Sequence, residues 1–485
     1  MARRGRVRIL PDLATSGNPF VLDLQFSALE RAKLIVGGLV LLPIRVLLSV
    51  LFASVLYVLV TLTAIGWKHG GHLKNWQKVL LTTVIPPVLR CWTFVLGYYA
   101  IPVLGTRASA SEAPIYVVAP HSHVMEPWLL NPYSRGSPLS KKENEHFPFM
   151  GRVIKSSEPI WVDREAKQRS NTVERIVQRV ASPGFWLPIV IFPEGTTHNG
   201  ECVIGFKTGA FRPGLPVQPI LFRFGERDVG AYVAFDRSLV GILLLVMMQW
   251  RNTFSVQYLP VYTPSDAEKH DAQLYAANVR RLMAAELGKP VNDCGLEDLR
   301  LMDIAEGAGL PRECALIEFN LMNRLFQVDL AALKTVMRRF VRMNTRKTGS
   351  VSWSEFAASL CWPNAEHAQL LYDEYDTRSG CGELAFREYV VGTLDLAGRV
   401  ADADNLVVTA FAALSARQRC ITEESALRAF HERGHMCVTD AAVRVFLRRA
   451  TREQELTELR FVAYVEENPD AKVLLKWFLD GVDSL

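Results

Sequence analysis

The 485-residue sequence predicts three parts in tandem: an N-terminal membrane helix or hairpin, an α/β domain with a mixed sheet and flanking helices, and an all-α C-terminal domain. Three observations predict this order. Residues 34–65 are almost wholly apolar. From about 113 to 263, short apolar β-rich runs alternate with helix-like and turn-rich segments. Beyond about 264 the chain becomes more charged and takes on helical periodicity. The expected divisions are 1–33, a basic segment; 34–104, membrane-associated helices; 105–263, the α/β domain; 264–310, a helical linker; and 311–485, the C-terminal helical domain.

Arg3, Arg4, Arg6 and Arg8 open the chain without the order of a signal peptide. Val46–Ile65 then gives 20 residues without a charge, the length of a helix that crosses a bilayer. Pro43 and Arg45 divide the apolar run into a short and a long arm, which suits one kinked helix or a hairpin that dips in and returns. Basic residues flank it on both sides (Arg31 and Lys33, then Lys68, Lys74 and Lys78), so charge leaves the orientation open. Residues 79–104 form a second apolar stretch, but Pro86, Pro87 and Arg90 point to an interfacial or packed helix. Strands are expected at Ile115–Ala119, Pro159–Val162, Pro188–Phe192, Val217–Phe222 and Phe254–Val261. Leu239–Met248 is too short to span a bilayer and is either core or a second membrane contact. Tyr275–Met283 reads as an amphipathic helix.

A net charge of +5, spread over this length, excludes a strong nucleic-acid footprint and suits a membrane surface better. The eight cysteines (Cys91, Cys202, Cys294, Cys314, Cys361, Cys381, Cys420 and Cys437) show no paired or zinc-like spacing and read as reduced, mostly buried thiols. No N-x-[ST] sequon occurs.

The chemistry is concentrated in His121-Ser-His-Val-Met-Glu126 and in Phe192-Pro-Glu-Gly-Thr196. A hydroxyl attacks near neutral pH when a base removes its proton, and histidine suits that task. Glu126 is placed to hold the ring. Five residues along a helix rotate a side chain by about 140°, so His121 must sit in the turn before a helix, where Pro120 and Pro127 favour irregular backbone. His123 is read as structural and pointing elsewhere, and His198 as solvent-exposed. In the C-terminal part, Asn344-Thr-Arg-Lys-Thr-Gly-Ser-Val-Ser-Trp-Ser-Glu355 has the glycine, apolar residue and glutamate of an EF-hand loop at its positions 6, 8 and 12. Arg346 and Thr348 stand where ligands belong. Thr377–Glu388 keeps Gly382, Leu384 and Glu388, with Thr377, Ser379 and Cys381 at ligand positions. Both are read as EF-hand-like scaffolds from which tight calcium binding is not expected.

These segments occur in order with Asn18-Pro-Phe, Leu42-Pro-Ile-Arg45, Ala119-Pro-His-Ser122, Ile160-Trp-Val-Asp-Arg164, Ile191-Phe-Pro-Glu-Gly-Thr-Thr197, Phe206-Lys-Thr-Gly-Ala-Phe211, Val217-Gln-Pro-Ile220 and Leu259-Pro-Val-Tyr262. In that arrangement the chain resembles the glycerolipid acyltransferases, nearly end to end, and within them the lysophosphatidylcholine acyltransferases with C-terminal EF-hands. The resemblance implies transfer of an acyl group from acyl-CoA, as co-substrate, to the free hydroxyl of a lysophospholipid, with no bound cofactor. It implies an endoplasmic reticulum membrane, with the Golgi or a lipid droplet as alternatives, and the catalytic part facing the cytosol. Lysophosphatidylcholine is the expected acceptor, with lysophosphatidic acid as the main rival and a catalytically weakened membrane scaffold as the other alternative. His121 is then the general base and Glu126 its orienting carboxylate. Arg164, Glu194, Gly195 and Thr196 match acceptor-binding positions, Pro219 the end of a strand shaping the acyl or CoA side, and Lys207 a phosphate contact. The family usually carries aspartate where this chain has Glu126.

Overall fold

The computed structural model describes residues 17–22, 24–65, 73–147, 149–162, 170–181, 186–225, 230–231, 238–360, 365–375, 382–400, 406–416, 418–432, 440–451 and 455–480. The chain forms two compact units, Met1–Leu296 and Glu297–Leu485.

The first unit is built on a seven-stranded mixed sheet: β1 (Val103–Leu104), β2 (Ile115–Ala119), β3 (Ser137–Lys141), β4 (Ile160–Val162), β5 (Ile189–Ile191), β6 (Val217–Phe224) and β7 (Phe254–Tyr258), in the order β1-β7-β6-β2-β5-β3-β4. Only β6 and β7 pair antiparallel; the other neighbours are parallel. All five expected strands form. Two were not expected: β1 has two residues, and β3, Ser-Pro-Leu-Ser-Lys, lacks the apolar run that marks a buried strand.

Every residue of β2 is buried, as a strand covered on both faces requires. Its alternation sorts the cover. Tyr116 and Val118 face a core with Leu56 and Val60 of α1 (Ala28–Ala64), with Leu81, Leu89 and Trp92 of α2 (Asn75–Val95), and with Leu129 of α3 (Glu126–Ser134). Ile115, Val117 and Ala119 face Ile176 and Val180 of α4 (Ser170–Val180). On that same side, Ile242 and Val246 of α5 (Leu239–Met248) are absent, since they belong to the first core; Tyr275, Val279 and Met283 of α6 (Ala272–Leu287) take the place instead. The segment 264–310, expected to be a linker, therefore divides: α6 is core to the first unit, and the second unit begins at Glu297, fourteen residues before the expected boundary at 311.

α1 is one continuous helix through Pro43, 37 residues long, so residues 34–65 form the single helix and not the hairpin. At about 1.5 Å per residue it is about 55 Å long, well beyond the ~30 Å apolar thickness of a bilayer. Ile35, Leu39, Leu47, Val50, Leu51 and Val58 are exposed along it. Arg45, the charge inside the apolar run, is buried: its guanidinium donates to Met247 O (2.8 Å), to Gln249 O and to Tyr99 Oη (3.1 Å). Carbonyls at the C-terminal end of α5 thus take up the charge, where a cation is favoured. α5 packs on α1 so closely that a Cβ at Gly37 would lie 2.0 Å from Met248 O. α1 and α2 are both long and apolar enough to cross a membrane. α2 is also half of a packed layer, with Leu81, Leu89 and Trp92 inward and Val79, Val84 and Phe94 exposed.

The second unit is largely α-helical. Ser350–Ser352 pairs antiparallel with Glu383–Ala385 between the helices Leu330–Met343 and Trp353–Ser359 on one side and Ala365–Tyr375 and Phe386–Val400 on the other. A similar ladder, Cys420–Ile421 with Leu456–Thr457, recurs among the later helices, where no apolar run marks it in advance.

Candidate active site

β2 and β5 are parallel neighbours, so the loops leaving their C-terminal ends meet. The first carries His121 and the second carries Glu194-Gly195-Thr196. α3 begins at Glu126 with Pro127 in its first turn, so His121 lies in the loop before the helix, as the five-residue spacing requires.

Glu126 is almost fully buried. One of its oxygens takes His121 Nδ1, and the other accepts from the backbone N–H groups of Ser122 (2.6 Å) and His123 (2.8 Å). Four-atom reach is what allows a residue at the head of the helix to do both. A carboxylate on Nδ1 fixes the proton there and leaves Nε2 as the basic nitrogen. Among the described residues no protein group bonds Nε2, and the His121 side chain retains 28% exposure while Glu126 has 1%. The ring stacks on Phe192, centroids 4.3 Å apart, which limits its rotation.

Glu194 has a different part from the one expected. It is fully buried, and its carboxylate accepts from His121 N (2.6 Å) and Ile204 N (3.1 Å), so it is committed to backbone and not presented to an acceptor. Burial pushes its pKa up, but His198 and the His121 N–H outweigh that and hold the carboxyl below its ordinary value. Gly195 has φ +72°, in a turn closed by its N–H on Phe192 O (3.2 Å), a conformation that favours glycine. Thr196 is buried. Lys207 is brought to the same loop: its N–H donates to Pro193 O (2.7 Å) and its stem lies beside Gly195. Pro219 is not at a strand end. It is the third residue of β6, buried and paired with Val117, two steps short of the level of Ala119. Arg164 lies outside the described residues.

His198, expected to be exposed, is fully buried with Nε2 3.1 Å from Glu194 Oε2. No sequence signal marked it, because burial of a polar residue in a turn-rich loop leaves no periodicity. His123 is structural: its ring stacks on Phe224 at 4.0 Å, and its Nδ1 accepts from Met125 N (2.9 Å). Asn18-Pro19-Phe20 straps the far side of the loop, with Asn199 N donating to Pro19 O (2.8 Å) and Phe20 buried.

In the second unit the loop Asn344–Glu355 holds a cation of its own. Glu355 accepts from Thr345 Oγ1 (2.9 Å), Arg346 N (2.9 Å), Ser352 N (3.0 Å) and Arg346 Nε (3.1 Å). Arg346 Nη2 also reaches both oxygens of Glu383 at 2.9 Å, across the ladder. Among the described residues no three His, Cys, Asp or Glu side chains group as a metal site would need. Most of the loop Thr377–Glu388 before Gly382 lies outside the described residues.

A histidine held by a carboxylate, beside a Glu-Gly-Thr turn at the ends of parallel strands, is an arrangement that can take a proton from a hydroxyl. The family described as Acyltransferase matches residues 101–223, which contain all of it. Lysophosphatidylcholine acyltransferase 2 of Homo sapiens is 34% identical over 380 residues, 77% of this chain and 70% of the relative. The Mus musculus protein of that name is 30% identical over 469 residues, covering 96% and 85%. Lysophosphatidylcholine acyltransferase 1 of Mus musculus is 35% identical over 381 residues, covering 77% and 71%. The chain belongs to the acyltransferase family of which these proteins are members, and it is a membrane-associated enzyme of that family.

Proposed function

We propose that the enzyme transfers an acyl group from acyl-CoA to the free hydroxyl of lysophosphatidylcholine. The observation that carries this reading is the His121–Glu126 pair, with one imidazole nitrogen held and the other left for a proton. Nε2 takes the proton of the acceptor hydroxyl as its oxygen attacks the thioester carbonyl. The tetrahedral intermediate collapses by breaking the C–S bond, and the imidazolium returns the proton to the CoA sulfur. Glu126 favours the transient cation. No covalent enzyme intermediate is formed and no cofactor is required.

Arg164 and Lys207 are proposed to bind the acceptor phosphate, where a guanidinium forks onto two oxygens. Gly195 and Thr196 shape the turn beside Lys207. Pro219 belongs to the sheet behind the acyl or CoA side. The names of the relatives support choline as the head group, and the exposed apolar length of α1 supports reaction at a bilayer that holds the acceptor. The proposed location is the endoplasmic reticulum membrane with the α/β domain facing the cytosol, in keeping with free thiols at Cys91, Cys202, Cys294, Cys314 and Cys420. The second unit is proposed to be a pair of EF-hand-like scaffolds in which Arg346 takes up the charge that a calcium ion would otherwise neutralise.

The test is an assay of the purified full chain with several acyl-CoAs and a panel of lysophospholipids, products identified by mass. Phosphatidylcholine is the expected main product. Preference for lysophosphatidic acid would replace the head group; absence of any acylated product would remove the reading.

A further inference from the structure

We propose that His198 is a positioning residue for acyl transfer, fixing Glu194 and, through it, the backbone of His121; this rests on His121 being the base. His198 and Glu194 both have no exposure, so neither side chain meets substrate. What they meet is the loop that carries the base. Glu194 Oε2 accepts from His121 N at 2.6 Å, and His198 N donates to His121 O at 3.1 Å. Both backbone polar groups of His121 are therefore held by the segment 194–198.

The ring of His198 completes the brace. Its Nδ1 accepts from Gly200 N at 3.1 Å, which places the imidazole proton on Nε2. Nε2 lies 3.1 Å from Glu194 Oε2, the same oxygen that holds His121 N, as a charge contact without hydrogen-bond geometry, and no polar atom among the described residues hydrogen-bonds it. A buried carboxylate that loses the N–H dipole beside it either takes up a proton or shifts towards another donor, and each response loosens its grip on His121. The segment has little room to adapt. Asn199 is tied to the strap by its N–H on Pro19 O (2.8 Å) and its amide on Asn18 O and Val21 O (both 3.1 Å). A Cβ at Gly200 would lie 3.1 Å from the side chain of Ser122, the residue after the base.

Two isosteres separate this role from simple support of the turn. In His198→Gln the amide nitrogen falls near the place of Nε2 and keeps an N–H group beside Glu194. In His198→Asn the amide falls near Nδ1 and keeps only the acceptor for Gly200. Full-length variants are assayed in detergent with lysophosphatidylcholine and acyl-CoA, with thermal unfolding and both KM values recorded. We expect His198→Asn to lose kcat by about tenfold or more, the scale of a misplaced catalytic group, with acyl-CoA KM unchanged and with His198→Gln within about threefold of wild type. The reverse order, Asn active and Gln impaired, overturns the proposal, as do equal losses in both accompanied by lower unfolding temperatures. Where His198→Asn does not fold, Glu194→Gln carries the test: lower kcat with unchanged acceptor KM supports positioning, and a raised acceptor KM with unchanged kcat overturns it. His121→Ala is run in parallel. If it keeps wild-type turnover, the assignment of the base fails; if it is inactive while His198→Asn is not, only the positioning role fails.

Discussion

Glu126 and Glu355 are built alike. Each lies in the first turn of a helix, each collects two backbone N–H groups from the preceding loop, and each binds a nitrogenous side chain from the same loop: His121 in one unit and Arg346 in the other. The outcomes differ because the partners do. An imidazole held at Nδ1 still has a second nitrogen that can accept a proton, whereas a guanidinium has donors only. The role proposed for His121 is therefore to move a proton. Arg346 is a fixed cation, and its further bonds to Glu383 use it to join two loops.

The largest expected break in this comparison is His121→Ala, which should lower turnover by at least about a hundredfold while thermal unfolding stays as in wild type. Retention of the rate would leave the two loops functionally equal. Glu126→Gln comes next, with a loss of tens of fold, because the amide keeps the size but not the charge that favours the imidazolium. Glu126→Asp is finer: the shortened side chain, from a helix that starts at the same place, should miss the ring by about 1 Å and cost about tenfold in rate. A rise in activity would mean that glutamate attenuates the site.

Arg346→Ala should leave turnover unchanged and lower the melting of the second unit by a few degrees at most, since solvent screens a half-exposed ion pair. The sign with pH follows from Glu355. Burial pushes it up, but the Arg346 and Ser352 N–H groups, the Thr345 hydroxyl and the guanidinium outweigh this and bring it to about 2. A folded-state pKa below the unfolded value of about 4.3 gives stability that is present above that value and lost as pH falls towards 2. Calorimetry of the full chain should show the gap between wild type and Arg346→Ala at pH 7 closing by pH 2.5. A gap that widens in acid would mean that Glu355 is not the partner that matters. The smallest effect is that of calcium: micromolar ion should give no saturable heat with the wild-type chain and no change in turnover.

Much of the site was legible because it is made of short-range chemistry. The His121–Glu126 spacing demanded a loop followed by a helix start, and that is how β2 passes into α3. Apolar runs located β2, β5 and β6, which carry the site, while polar β3 escaped because its pairing with β4 and β5 makes it a strand and its own residues do not. Glu194 and His198 were misread for one reason: sequence shows that a residue is polar but not whether its charge is turned into the protein. The role of Arg346 was half visible. Its position in the loop argued against an ion, but its bond to Glu383 needs the two loops side by side.

The central claim is that His121 and Glu126 act as one unit, and a double-mutant comparison tests it most directly. His121→Ala, Glu126→Gln and the combined variant are assayed for kcat/KM with lysophosphatidylcholine and acyl-CoA under identical conditions. If Glu126 works by holding the ring, adding Glu126→Gln to His121→Ala should cost nothing further, within about twofold. Losses that multiply, so that the double variant falls by the product of the two single effects, would show that Glu126 acts on the reaction independently of His121.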